Sequence, residues 1–327
     1  MGCTCLRHEK EELELHRLSV EIIPVKDLSQ ILPDHYSPSS IDIQSTNPTS
    51  LSIYTISSNT ILSYNTQSKS TQKFDLNLTF PIDCGLIPIH SHSILLFAGG
   101  LDPILNKEVS KCFSICLKTN NFSNLSPLNT AKRRTRLLLS QDFVYCIGGV
   151  KEIKTKFDRK ICIKQCYSQN FERYSIEKDL WEVLGDMIYG VEYPAVAVNG
   201  NGIFVVGGGC IEKERFEIKK SVQVYRTDTQ MWEVCGFELL LPMFGGVCAE
   251  YNNGLIVFGG AEDLEDNDSA VYIIDDKVTK VAESTSSLFF LYYCERSGDE
   301  LFGFNDEDQA VSLNLTNFFV DVNELNL

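Results

Sequence analysis

Ile203-Phe204-Val205-Val206-Gly207-Gly208 is a hydrophobic run closed by two glycines, and the chain repeats that pattern three more times. Ile94-Leu95-Leu96-Phe97-Ala98 precedes Gly99-Gly100, Phe143-Val144-Tyr145-Cys146-Ile147 precedes Gly148-Gly149, and Leu255-Ile256-Val257-Phe258 precedes Gly259-Gly260. Runs of β-branched and aromatic residues of this length suit buried strands, whereas paired glycines weaken a strand unless another backbone must pass close by. Sheets packed radially around an axis impose that requirement. The pairs are separated by 49, 59 and 52 positions, so the chain is a repeat protein.

A second signal runs in phase with the first. Behind each glycine pair an aromatic or aliphatic residue is followed seven positions later by another: Tyr174 and Trp181, Tyr225 and Trp232, Ile115 and Phe122, Ile274 and Val281. Turn formers such as Lys118-Thr119-Asn120-Asn121 and Thr227-Asp228-Thr229 separate them, which reads as two strands joined by a tight hairpin. A further strand, as in Pro194-Ala195-Val196-Ala197-Val198, leads into each glycine-closed run, so one unit holds four strands.

On these residues the chain resembles the kelch repeat family, whose motif is a hydrophobic strand ending in a glycine pair and then a Tyr and a Trp. The period of about 50 residues is that of a kelch blade. Gly148-Gly149 with Tyr174 and Trp181, and Gly207-Gly208 with Tyr225 and Trp232, carry the full motif. Leu301-Phe302-Gly303-Phe304 reads as a degenerate unit that keeps one glycine, and Leu51–Ser58 as one with serines in place of both. The resemblance therefore implies an all-β propeller of six four-stranded blades over residues 40–327, preceded by a leader and linker over 1–39.

The first residues, Met1-Gly2-Cys3-Thr4-Cys5-Leu6, resemble the dual-acylation leader of Src-family kinases. That resemblance implies myristate on Gly2 and palmitate on Cys3 and Cys5, although the usual Ser or Thr at position 6 is here Leu6. Two lipids are expected because one myristoyl chain binds membranes only marginally, and the polybasic patch that serves elsewhere as second anchor is missing. Residues 6–18 suggest a short helix, Ser19–Val25 a strand able to close the ring, and 27–50 a linker. No signal peptide is read, so the twelve cysteines are expected as thiols in a cytosolic protein.

Function is read mainly by exclusion. No histidine follows residue 92, and no phosphate-loop pattern opens a helix, which removes most histidine-based catalysis and nucleotide binding. His90 and His92 read as two polar residues at a strand end, and no catalytic residue, metal or cofactor is assigned. Forty-four acidic against 29 basic residues, a net charge of −15, oppose binding to a nucleic-acid backbone. One stretch departs from this, Lys151–Lys164, an insertion in the third unit whose Lys154, Lys156, Arg159 and Lys160 are candidates for docking an acidic partner. Its counterpart at Glu262–Asp268 is strongly acidic. The expectation is a non-catalytic protein-interaction scaffold with a protein partner, no small-molecule substrate, and a lipid tether to a cytosolic membrane face. A soluble adaptor and a propeller enzyme are the alternatives.

Overall fold

In the computed structural model, the described residues are 51–57, 60–75, 79–157, 160–261, 269–275, 277–284, 291, 293–305 and 307–323. Gly2, Cys3 and Cys5, the helix expected over 6–18, the strand expected at Ser19–Val25, Arg159 and the acidic segment 262–268 lie outside them.

The strands form a β-propeller of six antiparallel sheets, five of four strands and a first of three described strands. Blade 1 comprises Ser52–Ser57, Thr60–Asn65 and Ser70–Asp75; blade 2 comprises Gly85–Ile89, Ile94–Ala98, Cys112–Cys116 and Phe122–Leu125. Blade 3 is Arg136–Ser140, Phe143–Ile147, Glu172–Ser175 and Leu180–Val183; blade 4 is Ala195–Asn199, Gly202–Val206, Ser221–Arg226 and Met231–Glu238. Blade 5 is Val247–Tyr251, Gly254–Phe258, Ser269–Ile274 and Val278–Ser284; blade 6 is Cys294–Ser297, Glu300–Phe304, Ala310–Asn314 and Val320–Asn323. In blades 2 to 6 the first strand is innermost, and inner strands of successive blades touch from blade 2 round to blade 6.

The glycine pairs sit where the blades interlock. The second glycine donates its N–H to a carbonyl in the segment entering the next blade: Gly100 to Lys132, Gly149 to Val191 and Gly208 to Met243, each at 2.8 Å. The first glycine lies against that same carbonyl, and a Cβ on Gly99, Gly148 or Gly207 would overlap the oxygen. All eight repeat glycines, including Gly259 and Gly260, have positive φ, a conformation only glycine adopts cheaply.

Four repeat assignments stand as expected and two are corrected. Tyr174 is paired with Trp181, Tyr225 with Trp232 and Ile115 with Phe122 across their hairpins. The Tyr174–Trp181 and Tyr225–Trp232 ring centroids are 5.2 and 5.4 Å apart. Ile274, however, pairs with Val278, because the turn of blade 5 is shorter, and Val281 falls where the register shifts. Gly303 is not a remnant of the glycine pair. It lies inside a strand opposite Cys294, and Asn305 occupies the first glycine's place. Asn305 is fully buried, and its side chain accepts the N–H groups of Glu307 and Gln309 at 3.1 and 2.8 Å, making the turn that glycines make elsewhere. In blade 1 the bond from Thr66 N–H to Leu51 O, which matches Thr227 to Asn201 and Leu315 to Asp299, aligns Ser52–Ser57 with the glycine-closed strands. Ser57 therefore stands at the first glycine's place, as expected.

Gly207→Ala is expected to destabilise the protein by about 1–3 kcal/mol, through the carbonyl overlap and the positive φ. Gly236, where an added methyl would meet nothing within 4 Å, is the control: Gly236→Ala should change stability by less than about 0.5 kcal/mol. Chemical denaturation of the two variants checks the difference.

Candidate interaction face

Antiparallel order places each connection from the second to the third strand at the same end of the propeller as the segments entering the blades. Three of these connections are hairpins of unequal length. Leu101–Asp102 pairs with Lys107–Glu108 in blade 2, Val150–Phe157 with Lys160–Tyr167 in blade 3, and Gly209–Glu212 with Arg215–Ile218 in blade 4. The basic insertion is thus an eight-rung ribbon, flanked at its base by the hairpins of blades 2 and 4.

The floor between them is an open arc of backbone hydrogen bonds. Arg134 N–H donates to Asp83 O at 2.8 Å, Tyr193 N–H to Arg134 O at 3.2 Å, Gly245 N–H to Tyr193 O at 3.0 Å and Leu291 N–H to Gly245 O at 2.9 Å. Side chains on this arc form a charged cluster. Arg134 holds Asp83 and Glu192, both at 3.1 Å, and the Tyr193 hydroxyl donates to Asp83 at 2.9 Å. Arg133 lies 3.4 Å from Glu108 and 3.6 Å from Asp83 and Glu152. Burial works against the Arg134 cation, yet Glu192, Tyr193 and Asp83 together more than offset it and hold the Arg134 pKa above its usual value. Burial also raises the Glu192 pKa, which Arg134 only partly pulls back. At the rim an apolar tip projects: Asp102 Oδ1 accepts the N–H groups of Ile104 and Leu105, both at 2.9 Å, and the turn leaves these side chains 75% and 70% exposed.

Of the expected docking residues, Lys154 and Lys156 lie opposite Ile163 and Ile161, and Lys160 lies opposite Phe157. Four of its five outermost rungs, all but Thr155–Cys162, pair a lysine with a large apolar residue.

The inner strands enclose a cavity of about 280 Å³, lined by residues of blades 2 to 6 including Ile87, Leu137, Val196 and Cys248. Arg136 lies toward its ribbon-side end, with Nε donating to Pro194 O at 3.0 Å and Cζ 5.5 Å from the Tyr193 ring centroid. At the other end His90 and His92 form a short 3-10 turn directly at the end of the strand Gly85–Ile89, and His90 Nε2 is 2.7 Å from Glu295 Oε2. Among the described residues no three His, Cys, Asp or Glu side chains come together as a metal site. Cys146 and Cys248 are buried free thiols, and burial pushes the half-buried Cys294 thiol up to about 12. No helix among the described residues is long and apolar enough to cross a membrane.

Asp83, Arg134, Tyr193, Arg136 and Glu295 were not singled out from the sequence. Arg134, Tyr193 and Gly245 each precede their first glycine by 14 positions, so aligning the repeats on the glycines brings them into one column.

Comparison with known proteins supports a kelch-type propeller. The chain is similar to Kelch-like protein 38 of rat and of mouse, each 25% identical over 174 residues, 52% of this chain and 27% of the relative. The human protein of that name is 26% identical over 147 residues, 44% of this chain and 22% of the relative. The chain thus matches only about a quarter of the length of these relatives, and no protein-family model matches it.

The His90–Glu295 bond, the main cause, raises the His90 pKa above its ordinary 6.5. A raised folded-state pKa gives stability that is fully present below pH 6.5 and lost as pH rises through the folded value. The stability advantage of wild type over His90→Gln should therefore shrink as pH is raised from about 6 to 8. Urea titrations at several pH values test this; an advantage that grows with pH would contradict it.

Proposed function

We propose that this chain is a non-catalytic protein-interaction scaffold, and that it binds its partner on the face bearing the three hairpins. The observation that carries this reading is the asymmetry of that face: a rigid hydrogen-bonded floor, an exposed Ile104–Leu105 tip and a basic ribbon, all at one end of the propeller. Loops and hairpins on a rigid scaffold are where recognition usually resides. The similarity to kelch-like proteins and the propeller fold support such a scaffold.

The partner docks an acidic segment on Lys154, Lys156, Arg159 and Lys160. Charge of this kind acts on the rate of encounter more than on raw affinity, and it is screened by salt. With a partner in hand, reversing the four residues to Glu should slow association by at least about tenfold at low salt and leave the fold intact. An unchanged association rate in stopped-flow measurements would remove the ribbon from the interface.

Lipids on Gly2, Cys3 and Cys5 tether the scaffold to a cytosolic membrane face. Gly2→Ala, or Cys3→Ser with Cys5→Ser, leaves at most one anchoring signal and should move the protein into the soluble fraction. Leu6 favours a second reading, an untethered adaptor. Wild type that is already soluble and takes up no labelled fatty acid would establish that reading instead.

A further inference from the structure

Blade 1 is joined to its neighbours in a different way from the rest. Glycine stands at the first repeat position in blades 2 to 5, and at Gly99, Gly148 and Gly207 an added Cβ would lie 2.4 Å from a carbonyl oxygen of the segment entering the next blade. Ser57 in blade 1 and Asn305 in blade 6 carry that Cβ, so the same close approach is barred on both sides of blade 1. Among the described residues, side chains hold the blade instead. Ile53 and Tyr64 pack with Phe302 and Phe304 of blade 6, and Tyr54 and Ile61 with Leu95 and Phe97 of blade 2. Thr66 N–H donates to Leu51 O, so alternation turns the backbone groups of Ser52, Tyr54 and Ile56 away from Thr60–Asn65 and toward the axis. Inner strands cover that edge in blades 2 to 6; here the Tyr54 N–H donates to the Tyr293 hydroxyl.

One contact spans from blade 2 to blade 6 on the axial side of blade 1: His90 Nε2 lies 2.7 Å from Glu295 Oε2. It draws together the two blades that flank blade 1. The side chains are 44% and 16% exposed, so solvent reaches the pair. Among the described residues, the other titratable or charged groups around it are Tyr293 and Cys294 of blade 6, Cys248 of blade 5 and Arg136 of blade 3, with Tyr54 behind Tyr293 and His92 on the same turn as His90. Burial raises the pKa values of Tyr54, Tyr293, Cys248 and Cys294, which stay neutral through about pH 8, and Arg136 stays charged. Within the pair, His90 changes charge between about pH 6 and 8.

We propose that blade 1 opens locally, ahead of the rest of the propeller, and that the His90–Glu295 contact is the latch restraining it, firm while His90 is protonated and looser once that proton is lost. Both latch residues line the axial cavity, so opening admits solvent and small reagents to it. The hairpin face takes no part in the latch, and failure of this proposal would leave the scaffold reading untouched.

Hydrogen exchange on the full-length protein, read by mass spectrometry, compares peptides spanning 52–65 in blade 1 and 195–206 in blade 4; their ratio cancels the common rise of intrinsic exchange with pH. Blade 1 should exchange faster, and the gap should widen about two- to fivefold from about pH 6 to 8, the range of a partly exposed ion pair. In His90→Gln and in Glu295→Gln the ratio should stay constant over that range. If either variant fails to fold, the wild-type ratio alone keeps the test. At about pH 6, where the wild-type latch is firm, methanethiosulfonate should label Cys294 of the cavity about two- to fivefold faster in His90→Gln than in wild type, and Cys235, on the outer strand of blade 4, at the same rate in both. Blade 1 exchanging no faster than blade 4, a wild-type ratio that does not move with pH, pH dependence that persists in both variants, or unchanged labelling of Cys294 would each overturn the proposal.

Discussion

The structure depends on one contact repeated between blades, the N–H of the second repeat glycine against a carbonyl of the segment that enters the next blade. It is made at 2.8 Å by Gly100, Gly149 and Gly208. Because the first glycine touches the same oxygen, no side chain fits there, and the close approach forces each entering segment onto its neighbour. The arc of bonds from Asp83 to Leu291 joins these entering segments to one another. A sheet propeller held only by apolar packing would tolerate sliding between blades. These directional bonds fix the angle, and with it the positions of Arg134, Tyr193 and Arg136.

Burial decides which charges hold the fold and which are open to a partner. Lys132 and Glu172 are both fully buried, 3.5 Å apart, and Lys132 also donates to Asn170 O while Glu172 accepts two bonds from Asn129. Removing one member of such a pair typically costs about 3–5 kcal/mol, so these two groups serve the joint between blades 2 and 3. Exposed pairs such as Arg173–Glu182 contribute at most about 1 kcal/mol and can be exchanged for other partners. Arg133, set among three carboxylates, lies between the two classes. The excess of 15 negative charges says little about the ribbon, since charges separated by more than about 8 Å are largely screened at physiological salt.

The fold was legible because its decisive constraint is chemical and repeats in sequence: only glycine suits the eight positive-φ positions, so they appear as an unbroken signal. Where another residue does glycine's work, the signal failed. Asn305 builds its turn through side-chain bonds, and Gly303, two residues earlier, drew the assignment to itself. Val281 was misplaced because spacing alone does not report a shortened turn or a shifted register. The charged cluster was hidden for a different reason. Asp83 is 16 positions before its glycine where Arg134 and Tyr193 are 14, since the turn holding His90 is two residues longer than those of blades 3 and 4. The His90–Glu295 contact spans 205 positions and joins blades 2 and 6, a proximity that only closure of the circle creates.

The hairpins break the symmetry that the glycines impose. They rise over blades 2, 3 and 4 with two, eight and four rungs, whereas blade 6 passes from its second to its third strand through the short Asn305 turn. A two-stranded ribbon is marginally stable alone, and the base of this one meets the hairpins on either side. Hairpins of two, eight and four rungs standing on one floor of backbone hydrogen bonds make an end of the propeller at which no two of blades 2, 3 and 4 are alike, and selectivity needs a difference of that kind, which a symmetric face does not provide.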